Sequence, residues 1–213
     1  MAVADADQRF LYVNVGSYGR SSDGGIWRDC GFNRALHNGE IPLPTPKALP
    51  PLHDGHPIPY HLVADEAFSL SPYLMKPYAR RGLAHEQVIF NYRLSRARRI
   101  VENCFGRLAA VWRIFQKSIN IQPDRADNIV MACCVLHNYL LANNALPHSI
   151  DTDAYITDGS WRNAIDNSNL VELPPRRHGN NASREAKDIQ ESLKEWFNGI
   201  GAVHWQQRQA QHQ

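Results

Sequence analysis

Short apolar runs predict strands in the first third of the chain. Residues 2–4 are apolar, residues 10–15 are apolar except for Asn14, and a short polar link separates the two runs. A link of this length is typical of a hairpin, so we expect two antiparallel strands there. A further apolar run at residues 60–64 is bounded by Pro59 and Asp65. This run predicts a buried strand that ends at Asp65.

Apolar residues at three- and four-residue spacing predict helices elsewhere. The predicted helices cover residues 26–36, 84–115, 124–143 and 183–198. In the longest helix the stripe expected to face the core is Phe90, Leu94, Ala97, Val101, Cys104, Leu108 and Val111. In the next helix the expected core positions are Ile129, Ala132, Cys133, Leu136, Leu140 and Leu141.

The composition changes near residue 151, where acidic and polar residues begin to dominate. We therefore predict a domain over residues 1–145 and a polar extension over residues 146–213. The extension holds one amphipathic helix near 183–198, with Ile189, Leu193, Trp196 and Phe197 on one side. We expect this extension to be peripheral.

Composition narrows the class of protein. The chain has 213 residues, 43% of them hydrophobic and 21% charged, so a collagen-like, disordered or disulfide-scaffold protein is excluded for the chain as a whole. No run approaches the roughly 18 apolar residues that a membrane helix needs, so we expect no membrane association. The four cysteines form no Cys-x-x-Cys pair, which predicts reduced, mostly buried thiols.

Positive charge is concentrated in one segment. Residues 76–117 carry ten Lys or Arg against two acids, although the net charge of the whole chain is only +2. Such a segment is typical of a surface that faces a polyanion, and a solvated helix face would give the same count. If the partner is DNA, the side chains expected to contact it are Arg93, Arg96, Arg98, Arg99 and Arg107.

Three carboxylates lie beside apolar elements. Asp5 follows the first predicted strand, Asp65 follows the buried strand, and Glu102 lies in the basic helix. Carboxylates in such places are normally paired, protonated or bound to a cation, and a structural role remains open for each one alone. Two strand-end carboxylates and one helical carboxylate are also suitable ligands for Mg²⁺.

Three segments resemble a known family. They are PYHLVADEAF at residues 59–68, FNYRLSRARRIVENCFG at 90–106 and CCVLHN at 133–138. Together they resemble the DDE superfamily endonuclease domain of PIF/Harbinger transposases and of the Harbinger transposase-derived nucleases. The resemblance extends over about residues 2–141, and the arginine-rich run is its most specific part.

The resemblance implies a fold and a reaction. The fold would be α/β with an RNase H-like core, a mixed sheet with flanking helices. The family's metal-bound Asp, Asp and Glu map onto Asp5, Asp65 and Glu102, with Mg²⁺ or Mn²⁺ as cofactor. The implied function is hydrolysis of DNA phosphodiester bonds by a metal-dependent endonuclease of transposase origin. Such a protein would work in the nucleus, with the cytoplasm left open as a second compartment.

The start of the chain departs from the family pattern. Family members carry a longer first strand and an upstream helix-turn-helix region, whereas only residues 1–4 precede Asp5. We therefore expect a clipped first strand, weak activity, and a separate DNA-binding protein that supplies sequence specificity. One alternative is a catalytically inactive DNA-binding or protein-assembly module derived from a transposase. Another is an unstable truncated product with no function.

Overall fold

The fold combines small sheets with longer helices, which confirms the predicted mixed α/β class. The computed structural model describes residues 1–17, 22–50, 56–79, 81–145 and 182–207. The strands are β1 (Ala2–Ala4), β2 (Phe10–Val13), β3 (Leu62–Val63) and β4 (Leu74–Met75). The helices are α1 (Asp23–Asp29), α2 (Gly31–His37), α3 (His85–Val111), α4 (Pro123–Ala142) and α5 (Arg184–Asn198), and Arg113–Gln116 forms a 3₁₀ turn. None of the helices within these ranges is long and apolar enough to span a membrane.

The chain divides into two compact units, and each is built from separated segments. Within the described ranges, the first unit contains residues 1–17 and 99–145. The second unit contains residues 22–50, 56–79, 81–98 and 182–207. The helix α3 supplies residues to both units, because the division falls between Arg98 and Arg99.

In the first unit, β1 and β2 form the antiparallel hairpin that the sequence predicts. Ala2 lies opposite Val13, and Ala4 lies opposite Phe10. A β-bulge interrupts the register between Val3 and Ala4, so one residue of β2 has no direct partner on β1. Leu11, the residue at this irregularity, is 63% exposed.

The core of the first unit lies between this hairpin and the helices α3 and α4. Its buried members are Phe10, Cys104, Leu108, Cys133 and Cys134. Two positions of the expected α4 stripe, Ala132 and Leu136, are exposed, whereas the polar His137 is fully buried. The buried face of α4 is therefore turned from the face that apolar spacing alone predicted.

In the second unit, the predicted helix at 26–36 is two helices. Cys30 adopts an extended conformation (φ −75°, ψ 150°) and separates α1 from α2. Its Sγ accepts the backbone N–H of Asn33 at 3.3 Å, which caps α2. The strand β3 pairs in parallel with β4, with Leu62 opposite Leu74 and Val63 opposite Met75.

The core of the second unit includes the C-terminal helix. α5 matches the predicted amphipathic segment and contributes Ala186, Ile189 and Leu193 to a cluster with Leu70, Met75, Phe90 and Leu94. The helix is thus a core element, and the prediction that the extension is peripheral is wrong for this helix. Ala97, expected in the buried stripe of α3, is exposed.

Candidate active site

Asp5 is held in a tight turn directly after β1. Its Oδ1 accepts the backbone N–H groups of Asp7 and Arg9, both at 2.9 Å. Its backbone carbonyl accepts the N–H of Gln8 at 3.1 Å. Its Oδ2 lies 3.4 Å from Arg9 Nε, and the Asp5 side chain is 28% exposed. The carboxylate is therefore fixed by the backbone on one oxygen and ion-paired on the other.

Residues of α4 hold the same hairpin from the other side. The side-chain amide of Asn138 accepts the backbone N–H of Phe10 and donates to its carbonyl. The Nε2 atom of His137 lies 2.9 Å from the carbonyl oxygen of Gln8. Since a carbonyl can only accept, Nε2 carries the hydrogen in this contact. The sequence left two roles open for this pair, bonding of buried backbone or side-chain groups and a role near the predicted metal ligands. The bonds to Gln8 and Phe10 show the first of these.

The Asp5 carboxylate also affects its surroundings within the first unit. Burial, together with the negative charge of Asp5, raises the pKa of the Cys104 thiol to about 12. Burial raises the pKa of Cys134 to about 11, and all four cysteines are buried and free. The prediction of reduced, buried thiols is confirmed, and the Cys104 and Cys134 thiols stay protonated near neutral pH. Glu102 belongs to the same unit as Asp5 and lies half-buried in α3.

Asp65, in the second unit, is held in the same kind of turn as Asp5. It follows β3, and its Oδ1 accepts the backbone N–H of Ala67 at 2.9 Å. Its carbonyl accepts the N–H of Phe68 at 3.4 Å. A side chain that bonds the N–H two residues later forms an Asx-turn, which fixes the carboxylate at the strand end. Asp5 makes the equivalent bond to Asp7, so the two predicted ligands share one local geometry.

A glycine in the first turn of α1 allows a close contact with the Asp65 turn. A Cβ on Gly24 would lie 2.5 Å from the carbonyl oxygen of Ala67, a distance that real side chains do not adopt. The structure shows that Gly24 lets α1 pack directly against the turn that carries Asp65.

A groove of about 940 Å³ lies next to Asp65 within the second unit. Asp65 and Glu66 line one part of it, and Asn91, Ser95 and Arg98 of α3 line another. Ligand sites occupy roughly 300–1,000 Å³, so this groove is at the upper end of that range. It brings a predicted metal ligand and a predicted DNA contact, Arg98, to one surface.

Lys76 adds a positive charge beside the same turn. Its Nζ donates to the backbone carbonyl of Glu66 at 3.3 Å. Burial lowers the pKa of Lys76, and the carboxylates of Glu66 and Asp65 act in the opposite direction. The ammonium group of Lys76 therefore lies close to the carboxylates of Asp65 and Glu66.

The five predicted DNA contacts differ in their surroundings. Arg93 Nη1 donates to Gln206 Oε1 at 2.9 Å, and its guanidinium lies 4.5 Å from the ring of Phe197. The guanidinium of Arg96 lies 4.1 Å from the ring of Trp205. These two arginines thus contact the C-terminal part of their own unit. Burial, with the nearby charge of Arg96, lowers the pKa of Arg93.

The remaining three arginines lie farther along α3. Arg98 lines the groove, and Arg99 is exposed. Arg107 is half-buried, and within the described ranges its buried Nε has no hydrogen-bond partner. Arg96 and Arg99 are both exposed, but the Arg96 guanidinium already contacts Trp205, so Arg99 is better suited to a contact with an external polyanion.

The donor chemistry of the three carboxylates fits a hard divalent cation, which prefers oxygen ligands. Among the residues whose placement is described, no three His, Cys, Asp or Glu side chains form a group that could hold a metal ion. Asp5 and Glu102 belong to the first unit and Asp65 to the second. The assignment of these three residues as metal ligands stays a prediction.

Comparison with known proteins identifies the family. The sequence profile of the DDE superfamily endonuclease family matches residues 1–138. A curated relative from Arabidopsis thaliana, described as "Protein ALP1-like", is 32% identical over 142 residues. The alignment covers 66% of this chain and 34% of the relative, so the chain spans about a third of that protein's length. No solved structure matches significantly. The chain belongs to the DDE superfamily endonuclease family.

Proposed function

We propose that this chain is a metal-dependent DNA endonuclease domain of transposase origin. Asp5, Asp65 and Glu102 hold Mg²⁺ or Mn²⁺, and the fold is an RNase H-like core. The observation that carries the proposal is that Asp5 and Asp65 lie in the same kind of turn. In each turn the backbone N–H two residues later donates to the aspartate Oδ1 at 2.9 Å. Ligands fixed in this way need little reordering when a cation binds.

The residues of the chain have distinct tasks in this proposal. A divalent cation, when bound, would activate water for attack on phosphorus and stabilise the departing oxygen. Arg98 lines the groove beside Asp65 and binds a DNA phosphate there. Ser95, on the same side of the groove, offers a hydroxyl to the sugar–phosphate backbone. The side-chain amide of Asn91 is already bonded to both backbone groups of Tyr78, so Asn91 shapes the groove. The substrate is DNA, the compartment is the nucleus, and a separate DNA-binding protein supplies sequence specificity.

The test compares two neighbouring carboxylates. Asp65→Asn keeps the shape of the side chain and removes its charge, so tight Mn²⁺ binding measured by calorimetric titration should be lost. Glu66→Gln is the matched control, because Glu66 is exposed and lies next to Asp65. Equal Mn²⁺ affinity in Asp65→Asn and in the unaltered chain would overturn the metal assignment.

One contact favours the second candidate, a catalytically inactive DNA-binding or protein-assembly module. Arg9 Nε lies 3.4 Å from Asp5 Oδ2 and provides a positive charge where a metal ion would bind. DNA binding without metal-dependent cleavage, measured on the same preparation, would support this candidate over the nuclease.

A further inference from the structure

Asn138 on α4 binds the hairpin as a neighbouring strand would. Its Oδ1 accepts the backbone N–H of Phe10 at 2.8 Å, and its Nδ2 donates to the carbonyl of the same residue at 2.8 Å. One side-chain amide therefore satisfies both backbone groups of Phe10, which is how paired residues are joined in an antiparallel ladder. This fixes the first residue of β2 in position relative to α4.

His137, the preceding residue, holds the turn itself. It is 0% exposed, and its Nε2 donates to the carbonyl of Gln8 at 2.9 Å. Gln8 has a φ of 64°, in the left-handed region that a glutamine adopts only when its surroundings impose it. The His137 ring also packs on Phe10, with the ring centroids 5.1 Å apart. Burial lowers the pKa of His137, which keeps this donor in its neutral form.

The two anchors, the contact of Asn138 with Phe10 and that of His137 with Gln8, flank the residue that is hydrogen-bonded to Asp5. Arg9 lies between Gln8 and Phe10, and its backbone N–H donates to Asp5 Oδ1 at 2.9 Å. In return, the backbone N–H of Asp5 donates to the carbonyl of Arg9 at 3.0 Å. The hydrogen bonds that join α4 to residues 8 and 10, and residue 9 to Asp5, are thus all 3.0 Å or shorter.

We propose that His137 and Asn138 are positioning residues that hold the Asp5 carboxylate in place for binding a divalent cation. The proposal rests on the proposed function, since it requires Asp5 to be a metal ligand. Partners behind the ligands orient them and raise metal affinity, because a ligand that is already fixed loses less freedom on binding. The pair would act through the turn and would not touch the cation.

The first experiment measures Mn²⁺ affinity by calorimetric titration of the full chain, well below its melting temperature. Asn138→Ala removes both bonds to Phe10, and we expect a loss of affinity of roughly 10-fold to 100-fold. Asn143→Ala is the matched control, because Asn143 lies at the end of the same helix and its side chain donates only to the carbonyl of Tyr139 among its recorded bonds. The control should keep the affinity of the unaltered chain.

A second measurement follows the turn without any metal. The amide hydrogens of Asp7 and Arg9 are bonded to Asp5 Oδ1, so their exchange with solvent reports how firmly the turn holds the carboxylate. Asn138→Ala should accelerate the exchange of both amides, and Asn143→Ala should not. A role confined to global stability would instead change the exchange of all slow amides together.

A second pair of variants keeps the proposal testable if Asn138→Ala does not fold. His137→Gln places an amide donor near the position of Nε2 and should retain Mn²⁺ affinity, whereas His137→Leu should lose it. Equal affinity in these two variants would overturn the positioning role.

The outcomes separate this proposal from the proposed function. If Asp5→Asn weakens Mn²⁺ binding and Asn138→Ala does not, the positioning role is overturned and the metal site stands. If the unaltered chain binds no Mn²⁺, the proposed function is overturned and the positioning role with it. Loss of affinity in both Asp5→Asn and Asn138→Ala supports both proposals.

Discussion

At the residue scale, the ion pair at Asp5 sets how readily the carboxylate accepts a cation. Arg9 contacts Asp5 through Nε at 3.4 Å and Asp7 through Nη2 at 3.0 Å, and its side chain is 49% exposed. Exposed ion pairs stabilise by only about 0.2–1 kcal/mol, because water screens the charges. A divalent ion with strong carboxylate ligands can therefore displace the guanidinium.

Arg9→Ala should raise the Mn²⁺ affinity of the chain by up to about fivefold, the factor that corresponds to about 1 kcal/mol. The backbone N–H of Arg9 remains in this variant, so the bond that fixes Asp5 Oδ1 is kept. Calorimetric titration measures the change. Arg28→Ala, which breaks the comparable Arg28–Asp29 pair, is the control and should have no effect. Unchanged affinity in Arg9→Ala would show that the pair does not compete with the cation.

The sequence predicted where the two aspartates lie but not what holds them. Asp5 and Asp65 were expected at strand ends. Asp5 follows β1 directly, and Asp65 follows β3 after one residue, Ala64. The contact of Asn138 with Phe10 joins residues 128 positions apart, and one sequence contains no signal for such a pairing. His137 is buried because the carbonyl of Gln8 offers it a partner, which apolar spacing cannot reveal.

At the element scale, α5 contributes to stability through its apolar face. Ala186 is 0% exposed, and Ile189 and Leu193 are 7% and 5% exposed in the core of the second unit. Ser183 caps the helix by accepting the N–H of Ala186 at 3.2 Å. The helix is also tied down at its polar positions, since Gln190 donates to the carbonyl of Lys76 at 2.8 Å.

Leu193→Ala should lower the free energy of unfolding by about 2–5 kcal/mol, the range for removing a buried leucine side chain and leaving a cavity. Denaturant titration followed by circular dichroism measures this loss. Lys187→Ala, at an exposed position of the same helix, should change the free energy of unfolding by less than about 0.5 kcal/mol. Equal stability of the two variants would mean that α5 does not belong to the core.

Long helices were easier to predict than short elements. Observed bounds for α3, α4 and α5 lie close to those expected, apart from the C-terminal end of α3, because their periodic patterns extend over several turns. The segment 26–36 was predicted as one helix because it contains no proline and a single glycine, Gly31. In the structure the extended backbone at Cys30 divides it into two helices. The two-residue strand β4 was not predicted, since a pairing so short leaves no periodic pattern.

At the scale of the whole molecule, the charge of the 76–117 segment should give the chain sequence-independent affinity for DNA. Binding to duplex DNA weakens with salt, with a logarithmic slope of about −0.9 for each phosphate contacted. Arg99 is exposed, whereas Arg93 and Arg96 contact aromatic rings of their own unit. We therefore expect these arginines to contribute unequally.

Arg99→Ala should reduce the magnitude of the salt slope by about 1 and weaken binding to unrelated DNA sequences to a similar extent. Fluorescence anisotropy over a series of salt concentrations measures both effects. Arg125→Ala removes an exposed arginine of α4 outside the basic segment and should leave the slope unchanged. A slope that is the same for both variants would show that Arg99 makes no phosphate contact.

The separation along the chain between the Asp5 hairpin and its anchors on α4 has a consequence for synthesis. Gln8 and His137 are 129 positions apart, and at about 5–20 residues per second the ribosome needs roughly 6–26 s to bridge that interval. During this time the hairpin has neither anchor, and a two-stranded hairpin alone is marginally stable. The turn that carries Asp5 therefore leaves the ribosome early and reaches its final geometry late, which makes the nascent hairpin a natural point of contact for chaperones.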